Sequence, residues 1–264
     1  MENNQAIGIF DSGLGGLTVI RELLKALPNE NIVYFGDTAR VPYGNKSKKT
    51  ISRFSIENAD FLIKHKVKII VVACNTSCSL SLNLLKKKYK VPVVGVIEPA
   101  VRKAVERSRG LRVGVIGTRG TIKSNVYNQA LKRINKRIKI FSKSCPLFVP
   151  LIEEDWINDD ITLNIGRRYL SELKKREIDT LILACTHYPL LMKAIRKIMG
   201  REVELINSAE EVAGHVKELL ELSGGLRGAK QKGRCLFYVS DEPAQFVKVG
   251  GKFLGRKISC VRKV

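Results

Sequence analysis

The chain has 264 residues, 44% apolar and 27% charged, the composition of an ordinary globular protein with core enough for one large domain or two small ones. No apolar run approaches the roughly 18 residues of a membrane-spanning helix, and no basic start with an apolar stretch and cleavage site marks a signal peptide, so a cytoplasmic location is expected. The formal net charge of +22 is scattered over clusters such as 86–88, 132–139 and 174–176, and aromatics are only 6% of the chain; solvated helix faces are expected, with no specific nucleic-acid partner.

In chain order, residues 6–10 form a short buried strand that ends at Asp11-Ser12-Gly13-Leu14-Gly15-Gly16. The turn lacks the third glycine of a dinucleotide fingerprint. Its free N–H groups before a helix over 19–27 still suit an anion, a carboxylate as well as a phosphate. Asp11, at the strand end, could equally cap that helix. A second strand, 31–35, precedes a loop over 36–47 that is long for such a connection and rich in turn residues. It reads as a binding loop, with Tyr43 and Gly44 as its contacts. A helix over 52–64 leads to five apolar, mostly β-branched residues, 69–73, too few for a buried helix and so a strand covered on both faces. That strand stops at Cys74-Asn75-Thr76-Ser77, at the carboxyl end where open α/β sheets bind ligands.

A helix over 80–88, a strand over 91–96 and a helix from 97 to 108 complete this half. Residues 111–121 then restart the opening pattern, an apolar strand ending in glycines and hydroxyls with Thr118 in the turn, before a helix over 123–134. A strand over 139–141 and a proline-bounded loop over 145–154 follow, the latter carrying Glu153 and Glu154 ahead of a helix over 162–175. Residues 178–184 repeat the run of 69–73 and end in Ala184-Cys185-Thr186-His187-Tyr188-Pro189, with Cys185 placed 111 residues after Cys74. Next come a helix near 190–199, a strand over 203–206, and a helix with Ser208 as N-cap and Glu211 three residues on, a capping box. Residues 222–232 read as a mobile linker, 234–240 as a strand, 242–250 as a helix and 257–261 as an edge strand. This tail is expected to return to the first half and complete its sheet. His65 and His215 fall in helical patterns and are expected to face solvent. The fold class is α/β, with two pseudo-symmetric domains, 1–97 plus 208–264 and 98–207. Each is a mostly parallel sheet flanked by helices, with the site in the cleft between them.

Six cysteines without zinc spacing read as free thiols, with no metal site. Cys74 and Cys185 both precede helices, and a helix N-terminus lowers a thiol from its usual value of about 8.5. Three chemistries are open to two such thiols: covalent catalysis by one, a redox pair, or proton transfer by both. A redox dithiol usually comes as C-x-x-C, which is absent, and a single nucleophile leaves the duplicated Ala-Cys unexplained. Two bases on opposite faces of one carbon can remove a proton from one side and return one from the other. That is racemisation without a cofactor. Asp11 beside Cys74, and Glu153 with His187 beside Cys185, are the charged groups placed to assist.

Four ordered motifs carry a resemblance: Phe10 to Gly16, Asp37 to Gly44, Ala73-Cys74-Asn75-Thr76 and Ala184 to Pro189. Over residues 7–213 the chain resembles the aspartate/glutamate racemase family. The resemblance implies a cofactor-independent two-base enzyme that interconverts L- and D-glutamate, supplies D-glutamate for peptidoglycan and forms a homodimer. By motif it gives Cys74 the proton transfer with D-glutamate and Cys185 that with L-glutamate, assisted by Asp11, His187 and Glu153 in preference to Glu154. Substrate contacts would be Asp11, Ser12, Tyr43, Gly44, Asn75, Thr76, Thr118, Thr186 and His187. Aspartate and hydantoins are the alternative substrates for the same pair.

Overall fold

The structure, a computed structural model, describes residues 4–228 and 231–264. The chain begins β1 (Ile7–Asp11), α1 (Leu17–Ala26), β2 (Ile32–Gly36), α2 (Lys48–Lys64), β3 (Ile69–Val72), α3 (Asn75–Lys88), β4 (Val93–Gly95) and α4 (Ile97–Arg107). It continues β5 (Arg112–Gly117), α5 (Arg119–Lys123), α6 (Val126–Ile134), β6 (Lys139–Ser144), α7 (Phe148–Glu153), α8 (Asp160–Lys175), β7 (Thr180–Ala184), α9 (Met192–Met199) and β8 (Glu204–Asn207). Last come α10 (Ser208–Leu222), β9 (Cys235–Val239), α11 (Pro243–Leu254) and β10 (Arg262–Lys263).

Two sheets form, in the orders β10-β9-β2-β1-β3-β4 and β6-β5-β7-β8, and every pairing in both is parallel. Parallel sheets need cover on both faces, and β1, β3 and β7 are buried at every position, as their unbroken apolar runs require. Without β9 and β10 the two orders are the same, so the repeated sequence pattern corresponds to two like-built α/β layers. In each layer the chain switches direction across the sheet between its first and second inner strands, β1 and β3 or β5 and β7. That switch opens a crevice at the strand ends. Asp11 and Cys74 flank it in one layer, Thr118 and Cys185 in the other.

The elements differ from the sequence expectations where side chains do unexpected work. Helix α3 starts at Asn75 rather than near 80, because three poor helix formers, Asn75, Thr76 and Ser77, are buried and open it. The helix expected over 123–134 is two, broken at Asn125, which takes a left-handed φ of +59° that asparagine tolerates. The loop over 145–154 contains α7, with Pro150 in its first turn where no N–H is needed. At α10 the capping box does not form. Ser208 donates instead to the Leu183 carbonyl (3.1 Å), and Asn207 Oδ1 accepts from the Ala209 N–H (3.1 Å). His65 and His215 are half-buried rather than solvent-facing: His65 packs between Phe61 and Tyr238, and His215 Nδ1 lies 3.7 Å from Glu218. The last strand pairs at Arg262–Lys263, beyond 257–261, because Ile258 turns inward and is buried. All six cysteines are free, and among the described residues no helix is long and apolar enough to cross a membrane.

Much of the segment expected as a mobile linker is tied down, although its residues 229–230 lie outside the described residues. Lys68 Nζ donates to the Gly225 carbonyl (2.7 Å), and Arg227 N–H to Glu30 Oε1 (2.7 Å). Lys68 and Glu30 themselves form a buried ion pair at 2.6 Å. Removing one partner of such a pair strands the other's charge, at a cost of about 3–5 kcal/mol. Lys68→Ala is therefore expected to lower the unfolding free energy by about that much in urea titration, and Lys68→Met combined with Glu30→Leu by less. A full-stability Lys68→Ala variant would contradict the buried pair.

Candidate functional site

The glycine-rich turn after β1 is spoken for by the protein itself. Asp11 is completely buried, and its Oδ2 accepts from the Gly13 N–H (3.2 Å) while Oδ1 accepts from the Thr186 hydroxyl (3.4 Å). The amide expected to meet a substrate carboxylate thus meets a protein one. Burial raises the Asp11 carboxyl above its ordinary value, against the opposing pull of His187 and of the Gly13 and Gly16 amides. The far side of the turn is held by Tyr34, whose hydroxyl donates to the Gly13 carbonyl (2.5 Å).

Each cysteine stands where a buried parallel strand gives way to a helix or helical turn. Cys74 is the N-cap of α3, and Cys185 follows β7 directly; both are 5% exposed. Cys74 Sγ lies 3.7 Å from the Ser12 hydroxyl. Burial, then the nearby Asp11 charge, pushes this thiol up to about 12, against the Ser77 amide and Ser12. A helix start alone therefore does not lower it, contrary to the expectation from position. Cys185 has a different neighbour: its Sγ lies 4.0 Å from His187 Nδ1, and His187 Nε2 is 2.9 Å from Glu153 Oε1. Burial alone would lower the imidazole, but the bonds to Cys185 and Glu153 outweigh it and raise His187 to about 10. Glu153 at the end of α7 makes this contact, while Glu154 points outward and is exposed.

The two thiols open onto one cavity of about 580 Å³, which Ser12, Asn75, Thr76, Thr118, Thr186 and His187 also line. Asp11 does not line it but sits behind Thr186. Tyr43 borders the cavity, but its hydroxyl is taken up by the protein: it donates to Asp37 Oδ2 and accepts from Asn58 Nδ2 (3.1 Å). Gly44 is packed so tightly on Thr118 that a Cβ there would come within 2.7 Å of the Thr118 Cβ. Hydroxyls join the two layers at this point, with Thr76 Oγ1 2.9 Å from Thr118 Oγ1 and 3.3 Å from Thr121 Oγ1. Thr18 adds a bond to the Thr186 carbonyl (2.9 Å). Asn75 Oδ1 accepts from Tyr127 (2.6 Å), which leaves its buried Nδ2 without a partner among the described residues.

Sequence reasoning missed Thr121, Tyr127 and Tyr34, and the apolar wall of Pro146, Leu147, Val149 and Pro150. Thr121 was open to inference, three residues after the helix-capping Thr118; the others meet the site only through long-range folding. A larger groove of about 1380 Å³ along β4 contains neither Cys74 nor Cys185. Among the described residues no group of three or more His, Cys, Asp or Glu side chains is disposed to hold a metal ion. The arrangement offers two thiols facing one lumen, one backed by a histidine–carboxylate pair and the other by a buried carboxyl, with hydroxyl and amide donors between them.

Residues 7–216 match the family model described as Asp/Glu/Hydantoin racemase. The chain is similar to a glutamate racemase of Geobacter metallireducens, 51% identical over 260 residues that span 98% of this chain and 96% of that protein. Its fold is similar to the crystal structure of a glutamate racemase isoform from Bacillus anthracis, with a TM-score of 0.96, 38% identity and coverage of 100% and 98% of the two chains. It also resembles the glutamate racemase of Francisella tularensis solved in complex with D-glutamate, with a TM-score of 0.93, 38% identity and coverage of 99% and 98%. The chain belongs to the Asp/Glu/hydantoin racemase family.

Proposed function

We propose that the chain interconverts L- and D-glutamate without a cofactor, by proton transfer between the substrate α-carbon and two thiols, Cys74 and Cys185. The observation that carries this reading is the placement of both cysteines, at equivalent strand ends of two like-built sheets, on one cavity. In the L-to-D direction the Cys185 thiolate takes the α-proton: the C–H bond breaks, an S–H bond forms, and the electron pair stays on the carbon. The Cys74 thiol then gives its proton to the opposite face. The reverse reaction exchanges the roles, so each turnover leaves the proton on the other sulfur.

The environments suit this division. Held up to about 12, Cys74 carries its proton near neutral pH, as a donor must. His187, raised to about 10, is an imidazolium beside Cys185 that can balance its charge or return its proton, with Glu153 holding the ring. Asp11 and Ser12 serve the Cys74 side. The carbanion develops beside the substrate's own carboxylate, so fixed donors matter more than usual. Asn75 and the hydroxyls of Ser12, Thr76, Thr118 and Thr186 are the groups proposed to hold the two carboxylates, with Tyr43 and Gly44 contributing backbone. On this reading the site lies in the cleft between domains 1–97 plus 208–264 and 98–207. The enzyme is a cytoplasmic homodimer, and the D-glutamate serves peptidoglycan synthesis.

Cys74→Ser and Cys185→Ser are each expected to lower racemisation by on the order of 10²-fold or more, with circular dichroism unchanged, since each removes a base rather than core volume. Near-native turnover in either folded variant would refute the two-base assignment. Alanine at Cys78, Cys145, Cys235 or Cys260 is expected to leave turnover in place. The imidazolium has its own signature in stability. Because the folded value of about 10 lies above the ordinary 6.5, protonation favours the folded chain. The contribution is complete below about pH 6.5 and fades as pH climbs toward about 10. Measured against His187→Asn, the native chain's advantage in urea titration is expected to shrink across that window; an advantage growing with pH would contradict an imidazolium.

A further inference from the structure

His187 is gripped from four separate parts of the chain. Its Nε2 faces Glu153 at 2.9 Å and its Nδ1 faces Cys185 at 4.0 Å, so both nitrogens are engaged. The torsion of the ring about its bond to Cβ has a broad intrinsic profile, so contacts rather than rotamer preference set the imidazole plane. Two packing contacts narrow that profile. The Gly15 backbone passes so close that a Cβ there would collide with Thr186 Oγ1 and His187 Nδ1. Phe253, near the end of α11 and completely buried, sets its ring at 85° to the imidazole with centroids 5.2 Å apart. The preceding residue, Lys252, reaches Asp155 at 2.5 Å, two residues past Glu153. The C-terminal helix therefore braces the imidazole and is tethered beside the carboxylate that orients it.

We propose that Phe253 is a positioning residue for His187: its ring, carried by α11, fixes the imidazole plane so that Nδ1 faces Cys185 while Nε2 stays on Glu153. This rests on the two-thiol reading above. The brace serves one half-reaction only, because Cys74 is partnered by Ser12 instead. Small displacements of a catalytic group are costly, with about 1 Å enough for on the order of 10²-fold.

The test compares native protein, Phe253→Leu and Lys252→Met, using α-protiated and α-deuterated L- and D-glutamate. Phe253→Leu removes the ring and keeps an apolar filling. It is expected to lower kcat/KM about tenfold or more, equally in both directions, because the two enantiomers are of equal energy. The signature lies in the isotope effects. With the Cys185 step made limiting, the effect on kcat/KM should rise for L-glutamate, whose proton Cys185 removes, and fall for D-glutamate, whose proton Cys74 removes. Lys252 is half exposed, so its replacement is expected to fold even if Phe253→Leu does not, and it should give the same opposed pattern, a smaller rise for L-glutamate and a smaller fall for D-glutamate. Unchanged isotope effects in the folded variants, or a shift of the same sign for both enantiomers, would overturn the positioning role. A native protein that racemises neither enantiomer would overturn the underlying reading instead.

Discussion

Burial of ionisable groups is the constraint to which the rest of the site responds. A cavity that excludes water makes each dipole and charge within it count for more, and the same exclusion holds a thiol in its neutral form. Cys74 shows the second effect, raised to about 12 at a helix start that would lower an exposed thiol. Around Cys185 the chain answers with a cation: His187 stays protonated in a buried place only because Glu153 and Cys185 both favour its charge. The two sulfurs are symmetric by strand topology and different by electrostatics. The two-thiol mechanism proposed above needs one thiol to hold a proton while the other is ready to take one.

The topology supplies the reach. Each sheet brings a cysteine to its switch crevice, and the crevices meet at one cavity. Polar contacts help fix them there: the Thr76–Thr118–Thr121 hydroxyls, Thr18 on the Thr186 carbonyl, and Tyr127 on Asn75. Each such bond contributes about 1 kcal/mol net. The tail adds ring contacts behind the site, Phe246 against Tyr34 and Phe253 against His187. The last elements of the chain thus support the glycine turn of one layer and the histidine of the other.

The sheets were legible because strands buried on both faces leave continuous β-branched runs, and both cysteines were legible because each such run ends on Ala-Cys. The start of α3 was hidden for a related reason: Asn75, Thr76 and Ser77 look like loop residues but lie buried in a helix, from which Asn75 and Thr76 line the cavity. Local patterns could not reveal that Asp11 would also accept from Thr186, 175 positions away, or that the Tyr43 hydroxyl would be drawn off to Asp37 and Asn58. Both outcomes depend on partners that the fold brings from elsewhere in the chain. The same is true of Phe253, 66 positions from the ring it touches and part of a tail that gave little sequence signal. The choice of Glu153 over Glu154 turns on which side of the last turn of α7 faces His187.

The most direct measurement is proton NMR of L-glutamate and of D-glutamate, incubated separately in D₂O with the reduced protein and no added cofactor, alongside optical rotation. Two-base racemisation predicts loss of the α-proton signal and of optical activity from both enantiomers. Retention of both by a folded, reduced protein would contradict it.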